Sequence, residues 1–103
     1  MKSCITCGMP LEGNHAGDVG METADGLVCI HDIKEGVIKA PEEIFEGGVQ
    51  FFLMAVTSGD RDLAERLTRK NMNALPYWQV RPFDLLNGPQ ASDEEFGAAM
   101  MKL

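Results

Sequence analysis

Two short turns, far apart in the chain, dictate what its N-terminal third can become. Cys4 and Cys7 stand two residues apart in CITCGMPL, and Cys29 and Asp32 repeat that spacing in CIHD after 21 intervening residues, 8 to 28. A Cys-x-x-Cys turn aims two sulfurs at one point, and Gly8 directly after it can adopt a backbone conformation that a Cβ would penalise. Two such turns facing each other build a tetrahedral site, and the interval is close to that usual for zinc. The last position is a carboxylate instead of a thiol, which leaves the fourth ligand open.

At 103 residues the chain has room for one domain, or for a metal-bearing unit of about 40 residues beside a small helical one. A unit that short buries too little apolar surface to fold alone, so a metal or a packing partner must supply the deficit. No apolar run approaches the ~20 residues of a membrane span. MKSCITC has no apolar signal core, so the expected compartment is the cytoplasm. Three cysteines in a reducing compartment speak for metal or thiol chemistry over a disulfide framework.

The formal charge is −7, from 9 basic and 16 acidic side chains; three thiolates (−3) around a zinc ion (+2) would make it −8. Such a field repels phosphate backbones and disfavours nucleic acid as a partner. Residues 60–81 are the exception. There Arg61, Arg66, Arg69, Lys70 and Arg81 meet only Asp60, Asp62 and Glu65, a net of +2. These five are the contact set if nucleic acid binds; as a solvated helix face they need no partner.

Along the chain, Pro10 halts regular structure after the first turn, and 12–20, with three glycines, reads as a loop. Asp25-Gly26 predicts a hairpin turn between short strands near 21–24 and 27–30, the second of which delivers Cys29. A third short strand is expected over 36–39. Pro41 followed by Glu42 and Glu43 opens a helix, with the acids at the positive end of its dipole. Ile44, Phe45, Val49, Phe52, Leu53 and Val56 then recur at helical spacing; Gly47-Gly48 weakens this helix and suggests close packing against the metal unit. Thr57-Ser58-Gly59 ends it. Ser58 or Asp60 caps a second helix over 61–75, whose apolar stripe includes Leu63, Leu67 and Met72. A connection this short predicts an antiparallel helical hairpin. Pro76 stops the second helix, and Trp78 just beyond is read as a core plug. Residues 79–91 read as an extended linker, and Ser92-Asp93-Glu94-Glu95 as a capping box opening a short final helix. Phe96, Ala99, Met100 and Leu103 share one face of it, which must dock on this chain or on a neighbour.

Candidates for the fourth metal position are Asp32, His31 and His15, with an open, water-filled or metal-free site as the remaining possibility. Carboxylate oxygen ligates zinc but is uncommon beside three thiolates. Imidazole is commoner there, although His31 is only two residues beyond Cys29 and His15 sits in a loop. A thioredoxin-like role for Cys4-x-x-Cys7 would need the motif to open a helix, and Gly8 with Pro10 fits a turn instead. Met9 is placed to cover the metal site. No acid–base set accompanies the cysteines, so enzyme activity is not expected.

The chain resembles a zinc-ribbon family of small bacterial and archaeal proteins. The matching pieces are CITCGMPL (4–11), LVCIHDIKEG (27–36), APEEIFEGGVQFFL (40–53) and NMNALPYW (71–78), covering about 4 to 78. Where that family has its fourth cysteine, this chain has Asp32. The resemblance implies a fold and a zinc ion but no reaction. Together these readings give an α+β chain: a small zinc ribbon of β-hairpins and two knuckles over 1–40, packed on a helical hairpin over 41–78, with a linker and terminal helix over 79–103. The expected ligands are Cys4, Cys7, Cys29 and Asp32. The expected role is a metal-stabilised binding module for another protein or a second copy of itself. The alternatives are a nucleic-acid-binding or transcription-associated regulator and a metal-dependent or thiol redox enzyme.

Overall fold

The structure is a computed structural model and describes residues 2–103. Its first feature is a tight turn closed by an antiparallel bridge between Ser3 and Pro10. Inside it the Cys4 amide donates to the Met9 carbonyl and the Gly8 amide to the Cys4 carbonyl, each at 2.8 Å. Gly8 has φ +80°, a region that favours glycine, and a Cβ there would stand 3.3 Å from the Asn71 side chain. This turn therefore depends on a residue 63 positions further along the chain.

A short 3₁₀ stretch, Gly13–Asp18, replaces the expected loop and leads into β1 (Val19–Thr23). Strand β2 (Gly26–Cys29) pairs antiparallel with it, and the two-residue loop is Ala24-Asp25, one position earlier than Asp25-Gly26. The reason lies outside the hairpin: Gly26 opens the strand at φ +136°, and a Cβ on it would collide with Ile5 at 2.7 Å. A 3₁₀ turn, Ile30–Asp32, follows β2 directly and carries Asp32 back towards the first turn. The third strand expected over 36–39 is half of a second hairpin, β3 (Ile33–Lys34) with β4 (Val37–Ile38). The molecule is thus α+β, with two small two-stranded antiparallel sheets beside a helical part.

Helix α1 (Pro41–Phe52) starts at the proline and runs into a widened π turn over Leu53–Thr57. Ser58, left-handed at φ +53°, ends it. Asp60 caps α2 (Arg61–Asn73) by accepting from the Leu63 amide at 3.1 Å. A single-turn helix, α3 (Pro76–Gln79), carries Trp78, and α4 (Asp93–Met100) opens with both arms of the Ser92/Glu95 capping box formed. Among the described residues no helix is long and apolar enough to cross a membrane.

Two apolar clusters hold the chain. One joins Ile44, Phe45, Val49 and Phe52 of α1 to Ala64, Leu67 and Met72 of α2, with Trp78, Leu86, Ala91 and Ala99. The other surrounds Cys4, Leu11, Val28 and Cys29, and Ile38 packs against both. Residues 79–91 are not a free linker. Leu86 and Ala91 are buried, and Arg69 donates to the carbonyls of Leu85 and Pro89. Gly48 packs closely, but on Thr68 of α2 and not on the metal-bearing part; its Cβ would lie 3.0 Å from the Thr68 methyl.

Candidate metal centre

The turn at 4–7 and the end of β2 bring four ligand atoms together: the sulfurs of Cys4, Cys7 and Cys29 and a carboxylate oxygen of Asp32, all within 4.8 Å of one another. Cys4, Cys29 and Asp32 are buried and Cys7 is half-buried. The Cys7 and Cys29 sulfurs are 3.7 Å apart, and the Cys4 sulfur is 3.5 Å from Asp32 Oδ2. The four groups are close enough to hold a metal ion. Among the described residues this cluster includes neither histidine. His15 is exposed and bonded to Asp18, and His31 is exposed beside Asp32, outside the cluster.

Sequence reasoning missed three side chains that support this cluster. Thr6, fully buried between the two cysteines of the first turn, donates its hydroxyl to Asp32 Oδ2 at 2.5 Å and lies 3.0 Å from the Cys4 sulfur. Trp78 Nε1 donates to the Thr6 carbonyl and Asn71 Nδ2 to the Cys7 carbonyl, each at 2.8 Å. Trp78 is therefore a core plug whose polar edge also fixes the cysteine turn. The NMNALPYW stretch carried the signal, because it contains both donors. Pairing them with Thr6 and Cys7, however, requires the tertiary fold. The Cys29 amide adds an N–H···S contact to Cys4 at 3.3 Å.

The electrostatics follow from packing four acidic groups into one small volume. The thiols of Cys29 and then Cys7, with help from Thr6 and the Cys29 amide, hold Cys4 far below the ordinary thiol range. Its neighbours shift the opposite way. Cys29 is pushed up to about 12, chiefly by Cys4. Cys7 lies well above the ordinary range, first because of Cys29, then Cys4 and burial. Burial also raises Asp32, against the opposing Thr6 hydrogen bond. Without a cation, the first negative charge makes each further ionisation costly; a divalent ion removes that cost and displaces the remaining protons.

The five basic residues of 61–81 do not form a free cationic surface. Arg61 pairs with Glu46 and Glu65, Arg66 with Asp62 and Glu95, Lys70 with Asp93, and Arg81 with Asp25. Arg69 spends its donors on backbone carbonyls and lies over the Phe45 ring. No family model, curated protein or solved structure matches the chain.

Proposed function

We propose that the chain is a zinc-ribbon interaction module, in which a structural zinc ion held by Cys4, Cys7, Cys29 and Asp32 ties the two cysteine-bearing turns together. One observation carries this reading. A tetrahedral zinc with Zn–S of about 2.3 Å and Zn–O of about 2.0 Å sets sulfurs roughly 3.8 Å apart and sulfur from oxygen roughly 3.5 Å apart. The separations of 3.7 Å for Cys7–Cys29 and 3.5 Å for Cys4–Asp32 have those lengths. The widest edge, at most 4.8 Å, needs to contract by about an ångström on that scale. Thr6 on the carboxylate and the Cys29 amide on a sulfur are the outer contacts that such ligands require.

The bound ion would supply folding energy, because the small sheets it joins bury little apolar surface of their own. The resemblance to the zinc-ribbon family agrees with this assignment and adds no reaction to it. The test is elemental analysis of native protein together with the Asp32→Cys variant. One zinc per chain, held more tightly by the variant, is expected. Absence of stoichiometric metal would remove the proposal, and equal affinity in the two proteins would remove Asp32 as the fourth ligand.

A further inference from the structure

Beside the metal centre runs a groove of about 860 Å³, bounded by the first cysteine turn, one face of α1, and Met100 and Leu103. Four of the seven methionines line it: Met9, Met54, Met72 and Met100. Its outer rim is apolar and wet. Met54, in the widened turn after α1, is 86% exposed, and Phe51 is 51% exposed. Unbranched methionine side chains repack readily around a partner, and a contiguous exposed apolar surface is characteristic of an interaction site.

Gly47 strengthens the case. Glycine in mid-helix costs about 1 kcal/mol relative to alanine. Gly48 is accounted for by its contact with Thr68, whereas a Cβ on Gly47 would meet nothing within 4 Å. Gly47 lines the groove. Its missing side chain serves no internal packing and leaves a flat wall on which another backbone can lie.

Charge selects the occupant. Along the groove Glu43 offsets Lys39, so no positive patch stands against the −7 of the whole chain. A second copy would bring the same negative charge and be repelled. A small apolar molecule would leave a rim as exposed as Met54 in water, whereas a helix laid along the groove covers it. We infer that this groove is the docking site for a basic amphipathic helix of a partner protein, with its apolar face on the methionines and a small residue against Gly47. This inference rests on the interaction-module reading and names the partner's chemistry.

The test uses the full metal-loaded chain and a labelled amphipathic leucine–lysine peptide of about 18 residues, long enough to form a helix. Fluorescence anisotropy is expected to show saturable binding, weakened about tenfold or more when the peptide is scrambled to lose its apolar face or when lysine is replaced by glutamate. Gly47→Leu fills the groove wall without an internal clash. It should raise the thermal midpoint of the free protein and weaken peptide binding about tenfold. A merely structural glycine would give the first effect without the second, which would overturn the inference. Equal binding of the scrambled peptide would overturn it too. So would a dimer in sedimentation that Gly47→Leu dissociates, or a small apolar dye that binds the groove and that the peptide fails to displace. Metal content is measured on the same samples. Stoichiometric zinc without peptide binding sinks this inference alone, while peptide binding by native protein that holds no stoichiometric metal supports the groove and sinks the zinc reading.

Discussion

Thr6→Val isolates the link between the proposed ligand Asp32 and its support. Thr6 is fully buried, and valine has nearly its shape, so the substitution removes a hydroxyl without opening a cavity. What is lost is the donor to Asp32 Oδ2 at 2.5 Å, together with the contact to the Cys4 sulfur at 3.0 Å. A polar contact of this kind, one shell out from a metal ligand, is typically worth about 10- to 100-fold in metal affinity. That corresponds to about 1.4–2.7 kcal/mol. In metal-free protein the same change leaves a buried carboxyl oxygen without its donor, which costs roughly 1–3 kcal/mol of folding stability.

The assay is zinc competition against a chromophoric chelator for wild type, Thr6→Val, Asp32→Ala and the double variant. Zinc affinity should fall about 10- to 100-fold in Thr6→Val. Because Thr6 acts through Asp32, its loss should matter little once Asp32 is gone, so the two effects should be strongly non-additive. Additive losses, or a folded Thr6→Val protein with unchanged affinity, would refute the argument that this hydroxyl holds a ligand in place.

Zinc binding should weaken as pH falls from 8 to 6. The raised thiols of Cys7 and Cys29 remain protonated in metal-free protein, so binding expels both protons, and affinity should drop up to about 100-fold per pH unit in a pH-resolved chelator competition. Asp32 acts on stability with the opposite sense. Its folded value is raised, so in metal-free protein its proton stabilises the fold fully below the unfolded value of about 3.9, and that contribution disappears as pH rises through the folded value. Acid titration of Asp32→Asn by chemical denaturation should lack this component. Leu67→Ala, at a fully buried site between α1 and α2, should cost about 2–5 kcal/mol in urea unfolding, whereas Arg61→Ala, on an exposed pair, should scarcely move the midpoint. Chelating the metal should shift the emission of Trp78, the sole tryptophan, to the red while most far-UV helical signal remains; loss of all helix would mean that the apolar cluster of α1 and α2 does not stand without the metal.

What could be read from the chain and what could not divide by the range of the interactions involved. The left-handed Gly8, the start of α1 at Pro41 and the Ser92 capping box have local signatures, so spacing sufficed to find them, although Asn71 and Trp78 hold the cysteine turn from a distance. The hairpin turn came out one residue off because Ile5, twenty-one positions away, decides which residue must lack a side chain. Nothing in the spacing of CITC singles out Thr6, since its partner lies 26 residues on and no periodicity marks it. Residues 79–91 read as a linker because prolines and polar residues dominate there. Their order comes from α2, where the Arg66 carbonyl accepts from the Ala91 amide and Arg69 reaches two further carbonyls. Ala99, Met100 and Leu103 read as one helical face, but α4 ends at Met100; Ala99 alone of the three is buried, and the other two open onto the groove.

Asp32 in the cluster makes sense together with Thr6 and not alone. A carboxylate brings two oxygens with several acceptor sites, and a buried one needs donors for those that a metal does not occupy. Thr6 supplies such a donor from within the opposing turn, at a position whose backbone carbonyl is itself pinned by Trp78. Asn71 pins the next carbonyl, so the helical part fixes the direction in which the first turn presents its sulfurs before any ion arrives. Under the proposed zinc assignment, weaker ligation by oxygen than by sulfur would be offset by a turn that loses less freedom on binding. The helices are thereby part of the candidate metal centre: residues 71 and 78 have no metal-binding atom in the cluster, yet they hold the backbone from which Cys4, Thr6 and Cys7 reach it.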